Sequence, residues 1–213
     1  MFDIIGIDAP LANALRRILI SEIPTMAIEK VGMWQNTSVI PDENLAHRMG
    51  LIPIDVDATK FEFRGVGEEE SETNCIKFKL HAICSKTELC VGEAPLNNTE
   101  DEDKLYVNAN VMSGQLEWIP VGNQEETFAE KLPKSLLDDI LIAKMRPGQE
   151  IEMDLVVEKG LGKTHAKWSP VCTAYYRLLN DIKIKKPIVG KDADLLKKFC
   201  PMGVFDIEDI GKN

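Results

Sequence analysis

The chain has 213 residues, 44% of them hydrophobic, and its 35 acidic and 25 basic side chains give a formal net charge of -10. This length and apolar content allow one large domain or two small ones with a buried core. The negative charge excludes a protein that grips DNA or RNA by neutralising phosphates, and no apolar run reaches the ~18 residues of a membrane span. We therefore expect a soluble, intracellular chain with no membrane partner.

A helix is predicted near the N-terminus, after a short strand at residues 2–7. The helix spans residues 8–24, where Asp8 can cap the first N–H groups and Pro10 occupies the first turn. Pro24 prevents its continuation. Both ends of this helix are thus marked in the sequence.

The same helix carries an aliphatic stripe at helical spacing. Its members are Leu11, Leu15, Ile18 and Leu19. Arg16 and Arg17 are adjacent, so their side chains point about 100° apart and cannot both face solvent in the same way. The pattern predicts an amphipathic helix whose apolar face packs against another element.

A strand at 26–33 and a short helix within 41–50 complete the predicted first unit. The second helix begins with acidic residues and ends with His47 and Arg48, which suits the helix dipole, and Gly50 marks its exit. We expect His47 to bind helix carbonyls or a partner.

From Asp55 onward the composition changes to that of a mostly β unit. Residues 65–73 and 92–104 are predicted to be exposed acidic loops, and 75–83 alternates like a half-buried strand. Further predictions are strands at 105–112, 151–157 and 173–178, a short helix at 135–145, an alternating segment at 181–190, a helix at 191–199 and an extended piece at 201–210.

Gly162-Lys163-Thr164 matches the last three positions of a phosphate-binding loop. The glycine that opens such a loop should stand at 157, where the chain has Val157, and Pro170 disfavours the helix that should follow. A glycine-rich turn after the strand is the stronger interpretation. A nucleotide-hydrolysing enzyme built around Lys163 is kept as an alternative.

The five cysteines have no disulfide-framework spacing and suggest reduced thiols in the cytosol or nucleus. Five residues lie between Cys84 and Cys90, more than the usual two to four between paired zinc ligands, and Cys75 and His81 do not complete a zinc pattern. We predict structural thiols and no metal or cofactor.

Nucleophilic catalysis would need Ser169 or Cys172 activated by His165. The sequence has no Gly-x-Ser-x-Gly motif and marks no third residue to orient the histidine. A hydrolase is therefore disfavoured.

Three segments together carry a family resemblance: residues 8–31, 36–54 and 162–179. They resemble the alpha-like RNA polymerase subunits, and most of all the larger alpha-like subunits of eukaryotic polymerases I and III. Shorter stretches such as CPMGVFDIED, at 200–209, are similar to the same branch. More distant kin are the archaeal D subunit, the third-largest polymerase II subunit and the bacterial alpha N-terminal domain.

The resemblance implies an α+β fold in which an alpha-type dimerisation subdomain is interrupted by a mainly β insertion. The expected parts are residues 1–54, the insertion at 55–175, and a return to the dimerisation subdomain at 176–213. Family members continue with a strand and a long helix and have an N-terminal lead-in, so the resemblance implies an incomplete chain.

The resemblance also implies a non-catalytic assembly subunit in the nucleus, and in the nucleolus for polymerase I. Its partners would be a smaller alpha-like subunit, the second-largest polymerase subunit and small zinc-binding subunits, with DNA contacted only through the complex. The equivalent subunit of polymerase II or of an archaeal-type polymerase is the alternative.

Two groups of site residues follow from the resemblance. The core or the pair interface would contain Leu11, Leu15, Ile18 and Leu19. Contacts to other subunits would be made by Arg16, Arg17, His47, Arg48, Lys163, His165, Lys167 and Trp168.

Overall fold

The computed structural model of the chain describes residues 2–87 and 106–208. The chain divides into two compact units, Met1–Tyr176 and Arg177–Asn213. Both helices and strands are present, as expected for an α+β chain. The helices are α1 (Ala9–Ser21), α2 (Asp42–Gly50), the single-turn α3 (Gln124–Thr127) and α4 (Lys191–Phe199).

All described strands lie in the first unit and pair antiparallel. They are β1 (Pro24–Asn36), β2 (Ile54–Asp55), β3 (Cys75–Ile83), β4 (Ser85–Lys86), β5 (Tyr106–Val107), β6 (Asn110–Met112), β7 (Glu117–Ile119), β8 (Lys134–Ser135), β9 (Leu141–Lys144) and β10 (Glu150–Leu161). The main sheet has the order β1-β10-β3-β7, and three two-stranded ribbons accompany it. The two longest central pairings therefore both involve β10.

The core lies on one face of this sheet. Every second residue of β10 from Ile151 to Val157 is buried, as are Phe78 and Leu80 on β3. Leu45 and Met49, four residues apart on α2, pack against this same face of the sheet. The period of two in the strands and the helical spacing in α2 thus place one set of apolar side chains in a common core.

Trp168 packs over β10 at a position without a side chain. Its ring is 7% exposed, and its indole N–H donates to the Glu158 carbonyl over 3.1 Å. A Cβ at Gly160 would overlap the ring carbons and lie 2.7 Å from Nε1. Gly160 is therefore required for close packing of the indole on the strand.

The opposite face of the sheet carries charged side chains in contact with one another. Arg64, from the loop after Phe61, lies 2.5 Å from the Glu158 carboxylate and 3.6 Å from Glu70. Lys77 on β3 lies 2.7 Å from Glu70. The hydrogen bond from Lys77 lowers the pKa of Glu70, and the charges of Lys77 and Arg64 act in the same direction against the opposing effect of burial.

The second unit, described to residue 208, contains α4 preceded and followed by irregular chain. None of the described residues from 177 to 208 is buried, and Leu195 and Phe199 on α4 are exposed. This unit therefore has no core of its own among those residues.

Several local predictions are confirmed. The helices at 8–24, 41–50 and 191–199 are α1, α2 and α4, and Pro10 lies in the first turn of α1. The strands at 26–33, 75–83 and 151–157 are β1, β3 and β10, of which the first and last extend further than predicted. The loop at 92–104 lies outside the described residues.

Other local predictions are wrong. Residues 2–7 form no strand, and the Asp8 side chain does not cap α1. The segment predicted as a helix at 135–145 instead contains the last residue of β8, a turn and β9, because Leu141 to Lys144 pair with β6 and bury Ile142 and Ala143. Residues 173–178 form no strand, and Thr173 has a φ of 66°, outside the β region.

The segment predicted as one strand at 105–112 is interrupted. Asn108 takes a φ of 57° between β5 and β6. Asparagine tolerates this left-handed conformation better than most residues, so the chain turns there.

In the described parts of the chain, none of the helices combines the length and the apolar character of a membrane span.

Replacing Gly160 by alanine should destabilise the chain by about 1–3 kcal/mol, because the new methyl group must displace the Trp168 ring. Urea unfolding followed by tryptophan fluorescence measures this loss. The matched control is Gly32→Ala on β1, where the new Cβ would lie 3.8 Å from Asp154. Equal stability of the two variants would contradict the packing described for Trp168.

The Glu70–Lys77 pair predicts a pH-dependent coupling. A carboxyl group with a lowered folded-state pKa contributes stability above its unfolded-state pKa and loses it as the pH falls through the folded-state value. A double-mutant cycle with Glu70→Gln and Lys77→Met should give a coupling of up to about 1 kcal/mol at neutral pH, since the pair is partly exposed. The coupling should vanish in acid; an undiminished value there would contradict this assignment.

Candidate interaction surface

An aliphatic stripe on α1 faces away from the rest of the first unit. Leu11 is 58% exposed, Leu15 46% and Ile18 42%, and Leu19 beside them is half-buried. No residue of α1 is buried. These side chains do not lie in the core of the first unit. Their place at an interface with a partner subunit stays a prediction.

The C-terminal end of α1 is fixed to the turn that follows β10. The Lys163 N–H donates to the Ser21 carbonyl over 3.1 Å. A Cβ at Gly162 would overlap the Ile20 carbonyl oxygen and lie 3.2 Å from the Ser21 Cα. The absence of a side chain at Gly162 therefore lets the helix end rest on the turn.

The turn is fixed on its other side by Lys167. Its ammonium group donates to the Ile28 carbonyl over 2.9 Å, forms an ion pair with Glu29, and lies 4.5 Å from the centre of the Trp168 ring. Thr25 donates through its hydroxyl to the Trp168 carbonyl over 2.6 Å. Lys167 and Trp168 are thus engaged within the chain, and their predicted contacts with other subunits stay a prediction.

His47 and His165 line one pocket although their positions in the sequence differ by 118 (165 minus 47). The pocket, of about 270 Å³, lies between β1, α2 and the turn after β10. Its lining also includes Leu51 and Glu29, which the sequence did not single out. Leu51 directly follows Gly50, the predicted end of the helix, and its side chain is exposed. The sequence signal that could have identified Leu51 is this position of an apolar residue just after the helix end.

The remaining predicted contacts differ in their surroundings. Arg48 donates to the carbonyls of Leu141 (2.7 Å) and Ile142 (3.2 Å), so it holds β9 beside α2. Arg16 is half-buried and donates twice to the Asn13 side chain, at 2.9 and 3.1 Å. Arg17, Lys163 and the two histidines at the pocket are exposed.

The geometry around Lys163 differs from that of a phosphate loop. Val157 lies inside β10, opposite Ile28 of β1, where the loop would need its first glycine. The Lys163 N–H binds Ser21, and the N–H groups of Thr164 and His165 both bind the Leu161 carbonyl. These donors are used by the turn, and a single 3-10 turn at Ala166–Trp168 follows instead of a helix.

The described cysteines near His81 do not form a cluster. Cys75 is the first residue of β3, and Cys84 directly follows the strand. About 30 Å of extended chain therefore separates the two cysteines. Both are buried, and burial raises the pKa of each thiol, which makes them poor nucleophiles and ligands. Cys90 lies outside the described residues.

A catalytic triad is also not assembled at Ser169. Its hydroxyl donates to the Val171 carbonyl over 3.0 Å, while His165 Nδ1 accepts the Lys167 N–H over 3.1 Å. The two side chains that nucleophilic catalysis would couple are engaged with the backbone instead.

Known proteins resemble this chain over nearly its whole length. The RNA polymerase Rpb3/RpoA insert domain matches residues 31–172. The DNA-directed RNA polymerases I and III subunit RPAC1 of Homo sapiens is 46% identical over 210 residues, which cover 98% of this chain and 59% of the relative. The Dictyostelium discoideum protein of the same name is 47% identical over 214 residues, covering 100% of this chain and 58% of that protein.

A polymerase II subunit is more distant: rpb3 of Dictyostelium discoideum is 33% identical over 214 residues, covering 96% of this chain and 64% of the relative. The chain thus spans about three fifths of the length of the relatives it matches. The match over residues 31–172 includes β1 from Val31 onward, α2, the strands β3, β7 and β10 of the main sheet, and the turn that carries Trp168. The chain therefore belongs to the RNA polymerase Rpb3/RpoA insert domain family.

Proposed function

We propose that this chain is a non-catalytic assembly subunit of DNA-directed RNA polymerases I and III, and that α1 pairs with a smaller alpha-like subunit. The observation that carries the proposal is the exposed aliphatic stripe of α1, which the turn after β10 fixes in place. The similarity to RPAC1 at 46% identity supports the choice of polymerases I and III over polymerase II, whose rpb3 is 33% identical.

Hydrophobic burial supplies the free energy of pairing. Each Å² of apolar surface removed from water contributes about 25 cal/mol. A helix of 13 residues is about 20 Å long and about 10 Å wide, so one face offers on the order of 200 Å². A stable interface needs about 800 Å² from each partner. The interface must therefore extend beyond α1.

The turn after β10 and the pocket beside it are suitable for that extension. The turn contacts α1 through Lys163 and the pocket through His165, so the three features are joined through one segment. Arg17, Lys163 and the pocket histidines present polar groups that confer specificity on a partner. Lys167 and Trp168 act indirectly, by holding this segment in its position.

The proposal includes the subdomain arrangement expected from the resemblance. Residues 1–54 and 176–213 belong to the dimerisation subdomain, and 55–175 form the mainly β insertion. The second-largest polymerase subunit and small zinc-binding subunits are the further partners, with contacts through Arg16, Arg17 and the pocket residue His47. The complex acts in the nucleus, and in the nucleolus for polymerase I.

Pairing is tested by co-expression with the smaller alpha-like subunit and size-exclusion chromatography. Leu15→Asp and Ile18→Asp should each abolish the one-to-one complex, because a carboxylate would lie in the buried interface. Since both side chains are exposed in this chain, its own unfolding transition should shift little.

The matched control is Val66→Asp, which makes the same kind of change at an exposed aliphatic residue in the loop after Arg64. This variant should pair like the wild type. Equal pairing of the Leu15, Ile18 and Val66 variants would contradict an interface on α1.

The alternative enzyme makes a distinct prediction at Lys163. A nucleotide-hydrolysing enzyme should bind ATP saturably and lose this binding in Lys163→Ala. We expect calorimetry to give no Lys163-dependent binding, because the turn already uses the N–H groups that a phosphate would need. Saturable binding that disappears in Lys163→Ala would replace the assembly proposal with the enzyme.

A further inference from the structure

An imidazole and two carboxylates meet on the outer face of the main sheet. His81 is on β3, and Glu150 and Glu152 are on the adjacent strand β10. One ligand atom from each lies within 4.8 Å of the other two. In the sequence the carboxylates stand 69 and 71 residues after the histidine (150 and 152 minus 81), so no local motif reveals the group.

The separations suit a common cation. His81 Nε2 lies 2.9 Å from a Glu150 carboxylate oxygen. Two ligands at right angles, each about 2.1 Å from an ion, lie about 3.0 Å apart, and a tetrahedral pair lies about 3.4 Å apart. The third oxygen, on Glu152, lies within 4.8 Å of the other two ligand atoms, and its partly exposed side chain has three rotatable bonds for adjustment to an ion.

The backbone that carries the three side chains is held firmly. His81 and Glu152 are direct cross-strand partners in the register of the two central strands. The Glu150 backbone is hydrogen-bonded to Thr37 through both its N–H (2.7 Å) and its carbonyl (3.0 Å). Ligands on such paired strands keep their spacing better than ligands on loops.

We propose that His81, Glu150 and Glu152 form a binding site for a divalent transition-metal cation of the zinc class. One imidazole nitrogen and two carboxylate oxygens match the ligands that Zn²⁺ and Co²⁺ accept, whereas Mg²⁺ and Ca²⁺ prefer oxygen alone. All three side chains are partly exposed, so solvent or a group from another protein completes the coordination. The site is separate from α1 and does not rest on the assembly role.

Lys79 gives the site an internal competitor. Its ammonium group lies 2.7 Å from the Glu152 carboxylate and would have to release it when a cation binds. Removing this lysine should therefore strengthen metal binding, whereas removing a ligand should weaken it. If Lys79 and the ligands had only a structural role in the sheet, their removal would not change the metal affinity in opposite directions.

The test is a Zn²⁺ titration of the full chain by isothermal titration calorimetry, with Co²⁺ absorption spectroscopy as a second readout. We expect His81→Ala and Glu152→Gln each to lower the affinity at least about tenfold. Lys79→Met should raise the affinity. Glu125→Gln makes the same change as Glu152→Gln at an exposed carboxylate outside the cluster, and this matched control should bind like the wild type.

Two precautions keep the result interpretable. Glu152→Gln preserves the side-chain volume, and a thermal melt of each variant separates lost ligation from lost folding. A Co²⁺ site made by cysteine would show a strong thiolate charge-transfer band, which the proposed ligands cannot give. Equal affinities in wild type, His81→Ala and Glu152→Gln, or a thiolate band that accounts for the bound cobalt, would overturn the proposal.

Discussion

The pairing of β10 with β1 on one side and β3 on the other is the constraint on which the first unit depends. Alternate residues of β10 from Ile151 to Val157 fill the core, and the residues between them carry the carboxylates of the outer face. Because side chains alternate with a period of two, a shift by one residue would exchange the two sets. One register therefore fixes the core, the ion pairs and the His81 cluster together.

The end of the same strand determines where the apolar surface lies. Gly160 admits the Trp168 ring and Gly162 admits the end of α1, so two positions without side chains hold the helix beside the turn. The outer face of the sheet satisfies its charges with its own partners, and partly exposed ion pairs of this kind contribute little net free energy. The aliphatic stripe on α1, in contrast, is left exposed by the rest of the first unit. We therefore assign the proposed association to this stripe.

Local sequence patterns predicted those elements that both propensity and tertiary packing favour. The amphipathic α1 and α2 and the alternating β3 belong to this group. The apolar run around Ile142 was assigned to a helix, because a short buried run has no period that separates helix from strand. Pairing with β6 decided it, and such pairing is a long-range contact that a window of sequence does not contain.

Residue identity and spacing are enough to establish the family, the mixed helix and sheet, and the aliphatic stripe on the first helix. Which side chains are free to bind a partner depends on the contacts made in the folded chain. Lys167 and Trp168 have the chemistry of interface residues but bind Ile28 and Glu158. His81 was grouped with cysteines near it in sequence, yet it lies beside Glu150. The physical reason is that availability depends on what the folded chain brings within contact distance, and the strand register, not sequence proximity, sets those contacts.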